Sequence, residues 1–398
     1  MVARGAAIYL GVVQFFFAST WTIYVIYLPQ LVSQAGLPRT WVPWILVADQ
    51  VAFALADVAT GFWIDRVRAG LARIGGWILG ISVVSCVAFL LLPLQGAGAQ
   101  WLIALIALWA VTSSALRSPA WVLIARYAAK PSMPWISVLV LTGNAVAAAI
   151  APYLGVALKG VDPRLPFALS SLTLLATVGG ILLVERRLAA APPEGESEPA
   201  FDWNATGARG TVATFFACAF VAALGFQAFF SLNSAPQYLR FAKPDALPYL
   251  LPVFWIGFNL LMFPAAAIVK RAGWLPVMAG SALAGSAAAV ASSQAPNLDA
   301  LIAAQFLSGG CWGAMTVAAF CAATAFGRVQ REGALLGTLF AVLAAATLAR
   351  ILVVAGGVSQ MAFYRDIALW LPALCWVSVA LAFTGIRAII PAARSAGG

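Results

Sequence analysis

The chain has 398 residues, of which 63% are hydrophobic and only 9% charged, against about 45–50% and about 25% in soluble globular domains. No soluble fold of this length could bury so much apolar side chain, which excludes a cytosolic enzyme, a secreted domain and a disordered chain. The net charge of +10 is therefore read by position, as loop charge that sets membrane topology, and not as a nucleic-acid footprint.

A helix needs about 20 apolar residues to cross a bilayer. Hydrophobic runs between charged and Pro/Gly-rich breaks predict twelve spans, at 7–29, 41–64, 74–93, 101–124, 135–158, 166–184, 211–232, 247–269, 274–293, 299–325, 334–356 and 367–386. The tenth is long enough to suggest tilt or a kink near Gly309 and Gly310. The first run follows Arg4, but it is too long for a signal peptide and has no A-x-A exit, so it reads as the first transmembrane helix.

Placing both termini inside puts fifteen of the 23 arginines and lysines in inner loops and six outside, with Arg117 and Arg350 left within helices. That bias predicts cytoplasmic termini. The one long polar stretch, about 185–210, carries APPEGESEP and reads as a flexible linker. It divides the chain into a six-helix bundle over 1–186, a cytoplasmic linker over 187–210 and a second bundle over 211–398. Traces of a repeat support two related halves. Pro29-Gln30 ends the first span and Pro236-Gln237 the seventh, while Asp65-Arg66 follows the second and Lys270-Arg271 the eighth.

Histidine is absent, so imidazole metal sites, proton relays and triads are excluded. The five cysteines, Cys86, Cys218, Cys311, Cys321 and Cys375, all lie in apolar runs without a C-x-x-C pair and read as small buried hydrophobes. No metal or cofactor is expected.

The loop after the second span reads Gly61-Phe-Trp-Ile-Asp65-Arg66-Val-Arg68. It resembles the G-x-x-x-D-R-x-G-R-R/K signature of the major facilitator superfamily, matching at Gly61, Asp65 and Arg66, with Arg68 where glycine is usual. Gly61 permits close helix approach, and Asp65 suits a neighbouring helix N-terminus. The resemblance implies an all-α polytopic membrane protein of twelve transmembrane helices in two pseudo-symmetric bundles. It also implies that this cluster latches the cytoplasmic side in an outward-open state. In the fifth span, Ala147-x-x-x-Ala151-Pro152-x-x-Gly155 is similar to the G-x-x-x-G-P-x-x-G of antiporters in that superfamily, with two glycines replaced by alanine.

Four ionisable residues fall inside spans: Asp49, Asp57, Arg117 and Arg350. Each is costly there and a functional candidate by default. At 1.5 Å per residue, Asp49 lies roughly 12 Å and Arg350 roughly 9 Å below the outer edge. The resemblance sets spans two and eleven face to face, so these two are candidates for an outer gate, or for separate solvation in a cavity. Asp57 and Arg117 each lie roughly 10 Å from the inner edge. They read as a coupling carboxylate with its holding arginine, or as a buried pair that fixes helix packing.

The resemblance also implies that spans one, four, seven and ten line the path. Helical spacing groups Gln14, Phe17, Trp21 and Tyr24; Trp109, Ser113 and Arg117; Gln227, Ser231 and Ser234; and Gln305 with Trp312. Asn144 and Arg350 fall at equivalent places in the two halves. Such a surface suits an organic solute with a planar or anionic part, and helix packing would use the same residues. The reading is a secondary transporter working by alternating access, proton-coupled, monomeric and in a bacterial inner membrane, with lipid, substrate and protons as its partners. Efflux of lipophilic drugs by antiport is the alternative. A membrane-embedded enzyme is the distant one, for the sequence shows no catalytic cluster.

Overall fold

A computed structural model describes residues 2–66, 74–94, 98–127, 132–190, 201, 203–204, 207–327 and 331–389. Among them there is no strand. The helices are α1 Val2–Gln34, α2 Val42–Arg66, α3 Ile74–Leu91, α4 Gly98–Ser113, α5 Ser118–Tyr127, α6 Met133–Ala157, α7 Arg164–Val178 and α8 Ile181–Ala190. They continue as α9 Ala208–Phe226, α10 Ser234–Tyr238, α11 Leu247–Leu250, α12 Pro252–Ala272, α13 Trp274–Ser293, α14 Leu298–Phe326, α15 Glu332–Ala355, α16 Ala362–Ala368 and α17 Leu371–Ile389. Ten stretches are long and apolar enough to cross a membrane, and an eleventh is the pair α16–α17 bent by 56°. The chain is a multi-pass membrane protein.

Proline and glycine set the breaks. The run expected at 101–124 is divided between α4 and α5 by a 3-10 turn at Ser114–Leu116, beyond which Arg117 leaves helical geometry at ψ −102°. Pro119 accounts for this, since its ring clashes with a carbonyl four residues back and it has no N–H to donate. A π-helical segment, Gln227–Asn233, joins α9 to α10 just before Pro236. The wide turn absorbs the same clash. The kink suggested in the tenth span does not divide α14, which is continuous. Its Gly309 instead abuts the Phe254 carbonyl of α12, where a Cβ would not fit.

Without a hydrophobic drive between helices in lipid, packing relies on small residues and close contact. The helices before the 187–210 region make contacts α1–α6, α1–α7, α3–α4 and α3–α7, and those after it α12–α14, α13–α14, α13–α17 and α9–α17. Two seams join these groups, α2 against α15 and α6 against α12. Most of the expected linker, and Arg68 of the loop motif, lie outside the described residues. Of the linker's described part, α8 extends to Ala190, and Trp203 Nε1 donates to the Phe326 carbonyl at 3.2 Å. Below, the end of the bundle where α1 begins is the near end, and its opposite the far end.

Candidate functional site

The seam between α2 and α15 organises the site. Asp49, Phe53, Asp57 and Gly61 recur every fourth residue on the buried face of α2. At the near end Asp65 receives two backbone N–H groups from the start of α15, Gly333 to Oδ1 at 2.9 Å and Ala334 to Oδ2 at 2.7 Å. These donors have no partner within their own helix, and the α15 dipole favours an anion there. A Cβ on Gly61 would strike the Gly333 carbonyl, and one on Gly337 would strike the Asp57 carbonyl, so the two backbones touch over a full turn. Arg66, next to Asp65, is exposed.

Two turns deeper than Asp65, Asp57 has no exposed surface and its Oδ2 lies 3.2 Å from Arg117 Nη2. The helix break at Pro119 turns Arg117 to this position. Its guanidinium also sits 4.9 Å from the Phe53 ring and 5.5 Å from the Phe340 ring of α15, so cation–π attraction reaches both sides of the seam. Trp121 of α5 stacks on Phe320 of α14 with centroids 4.0 Å apart. Gln14 Nε2 donates to the Leu116 carbonyl at 2.6 Å, filling the bond vacated by the break, and Asn144 Nδ2 donates to Gln14 Oε1 at 3.1 Å. Ser113, also buried, bonds back to the Ala110 carbonyl.

The second carboxylate lies toward the far end. Asp49 is hydrogen-bonded to the Tyr24 hydroxyl at 2.8 Å. Among the described residues Asp49 makes no ion pair with Arg350, whose buried Nε has no hydrogen-bond partner. Between the two carboxylates lies an aromatic cluster centred on Trp109, stacked on Trp21 at 5.8 Å and packed against Tyr24 at 4.6 Å and Phe89 at 5.3 Å. On the other side Trp312 stacks on Phe226 at 4.7 Å, and Gln227 Nε2 donates to Thr347 Oγ1 at 2.9 Å.

The structure separates residues that helical spacing had grouped. Gln227 stays at the seam, with Ser231 donating to its Oε1. Ser234, beyond the π-helical segment, turns into the second group of helices and donates to Gln305 Oε1 at 3.0 Å. Gln305 has no exposed surface, and its Nε2 donates to Gln237 Oε1 at 2.9 Å, which also accepts from Ser292. Gln305 thus belongs to a closed amide–hydroxyl network within the second group. Trp312, two turns along the same face of continuous α14, stacks instead on Phe226 of α9. Phe53, Phe340 and Thr347 are not among the expected site residues, and Gln237 enters the sequence reading only as a trace of the repeat. Phe53 was within reach of the sequence, lying midway between Asp49 and Asp57 at four-residue spacing. Phe340 and Thr347 owe their positions to the tertiary seam alone.

Among the described residues no group of three His, Cys, Asp or Glu side chains could hold a metal ion. What the site offers is a buried ion pair clasped by aromatic rings, a second carboxylate held by a tyrosine, and a guanidinium with an unused donor. The Major Facilitator Superfamily model matches residues 10–349, and the chain belongs to that superfamily. No curated protein matches it. Its fold is similar to many solved structures, three of which follow. The human organic anion transporter MFSD10 (TETRAN) has a TM-score of 0.68 at 13% identity, covering 95% of this chain and 96% of that one. An outward-facing bacterial homologue of the iron transporter ferroportin has 0.73 at 13%, covering 96% and 99%. A variant of the E. coli fucose:proton symporter FucP has 0.67 at 16%, covering 95% and 97%.

Proposed function

We propose that this protein is a proton-coupled secondary transporter that moves a small organic solute with an anionic group by alternating access. In this reading twelve spans form two six-helix bundles, with α4–α5 and α16–α17 as broken spans, and both termini lie in the cytoplasm of a bacterial inner membrane. The near end is then the cytoplasmic gate, closed by Asp65 on α15 and by Trp121 on Phe320. The carrying observation is the asymmetry of the α2–α15 seam, in backbone contact at Gly61 and Gly337 yet with Asp49 and Arg350 unpaired at the far end. That asymmetry supports a carrier open to the outside along this seam, with the unused Arg350 donor for an anion and the partly exposed Trp21 for a planar part. Pairing of Asp49 with Arg350 would close the outer side, and protonation of Asp57 would release Arg117 and loosen the inner one. An organic anion transporter and a proton symporter among the similar folds are in keeping with this solute and coupling.

The test is a thermal-shift screen of the purified protein against organic anions and lipophilic cations. A ligand raises stability by its affinity for the folded state. The expected hit is an anion whose affinity falls about tenfold or more in Arg350→Gln, the loss of one charged hydrogen bond. Its counterflow in proteoliposomes would follow a pH gradient in the wild type and not in Asp57→Asn. Hits confined to lipophilic cations, unaffected by Arg350→Gln, would instead establish drug efflux.

A further inference from the structure

Three rings in the second group of helices lie parallel. Phe226 of α9 stacks on Trp312 of α14 with centroids 4.7 Å and planes 3° apart, and Phe230 lies parallel to Phe226 at 6.0 Å and 5°. Trp255 of α12 meets both phenylalanines edge-on, at 5.8 and 5.4 Å. The π-helical segment accounts for the alignment. In an ordinary helix, residues four apart overshoot a full turn by about 40°, and the wider turn over Gln227–Asn233 takes up that excess. The same turn brings Ser231 over Gln227, to whose Oε1 it donates at 3.1 Å.

Gln227 fixes where this wall stands, because its Nε2 donates to Thr347 Oγ1 of α15 at 2.9 Å. Both α9 and α15 run from the near end: Phe215, early in α9, packs against Phe326 just before α15 begins. From the shared level of Gln227 and Thr347, Phe230 and Ser231 lie one turn farther on α9. Arg350 lies three residues farther on α15, about 4.5 Å along the axis and on the same side as Thr347. Phe230 and Trp255 are half-buried and Ser231 is exposed, whereas Trp312 is buried behind Phe226. Arg350 Nε has no hydrogen-bond partner, while Arg117 is committed to Asp57.

We infer that the transported anion is an aromatic carboxylate, its carboxylate held by Arg350 and Ser231 and its ring packed on the wall of Phe230 and Trp255. The inference rests on the reading that Arg350 meets the anion, and it adds the chemical class of the solute and the residues that select it. The Nε edge of a guanidinium presents two parallel donors, which match a planar carboxylate. One uncommitted cation suits one negative charge. Half-buried rings attract an aromatic ring through stacked and edge-to-face geometry, and a saturated ring of the same size gains only the burial of its surface.

Thermal shifts of the purified full chain in detergent, titrated with benzoate and with cyclohexanecarboxylate, test this. The two acids share a charge and a size and differ in aromaticity. Benzoate should bind about fivefold more tightly, the equivalent of about 1 kcal/mol for one aromatic pair. Phe230→Leu, and independently Trp255→Leu, should bring the two affinities together by weakening benzoate alone. Phe230→Tyr, which keeps a ring, should keep the preference, as should Phe263→Leu on the exposed side of α12. Arg350→Gln should weaken both acids alike. Equal affinities in the wild type, or a preference that survives both leucine variants at the wall, would overturn the aromatic selection. Loss of both acids in Arg350→Gln would, in that case, leave the anion reading standing. Binding of neither acid, or binding indifferent to Arg350→Gln, would overturn the anion reading and this inference together.

Discussion

Asp57 and Arg117 show what one buried charge demands of its surroundings. The carboxylate has no exposed surface, while the guanidinium keeps 16%, so the pair is taken out of water almost completely. Removing one partner of such a pair costs about 3–5 kcal/mol, because the other charge stays buried alone. Arg117→Ala should therefore lower the melting temperature of the purified protein sharply. Asp57→Asn combined with Arg117→Gln should recover most of that loss, since two neutral groups can still hydrogen-bond. A double variant as unstable as Arg117→Ala would mean that the rings of Phe53 and Phe340, and not Asp57, hold the guanidinium.

At the scale of elements, the near-end contact between α2 and α15 adds to its close backbone approach one carboxylate with two donors. Charge-assisted hydrogen bonds are each worth roughly 1.5–3 kcal/mol, so Asp65→Asn should weaken the near-end closure without emptying space. The native reporter is Cys321, buried on α14 beside Ser137 of α6 and next in sequence to Phe320. Its alkylation by a small maleimide, followed by peptide mapping, should accelerate in Asp65→Asn; an unchanged rate would place the closing contact elsewhere. A second contact at this end joins the linker to α14. Trp203 caps the Phe326 carbonyl and lies 4.8 Å under the Arg331 guanidinium, just before the turn that receives Asp65. Trp203→Ala should speed tryptic cleavage at Arg209, read by peptide mass. The sequence reached part of this. Hydropathy located the apolar runs because each must span lipid, and the Asp65 motif foretold a helix N-terminus as partner. The motif alone did not name the helix that offers the donors, since Gly333 and Ala334 lie 268 and 269 residues away; only the resemblance, by setting spans two and eleven face to face, pointed to it. Nor did helical spacing foresee the turning of Ser234 away from the seam, because it assumed an unbroken 3.6-residue turn through 227–234.

For the whole molecule, the reading of two alternating states turns on Asp49 and Arg350. They stand at similar depth on facing helices, one held by Tyr24 and the other without a partner at Nε. Asp49→Arg and Arg350→Asp should each abolish counterflow, and the double exchange should restore a measurable part of it if the two close the far end together. No rescue would leave Arg350 with a solute contact alone. The π-helical segment at 227–233 carries a consequence of another kind. One surplus residue in that turn shifts the phase of everything after it by about 100°, which is why Gln227 faces the seam while Ser234 and Gln237 face the closed amide network. A single-residue deletion there would deal those polar groups back onto the face that helical spacing expected, hollowing the core of one half while lining the path with its amides. The wide turn is thus a sorting device that assigns a run of polar side chains either to structure or to cargo.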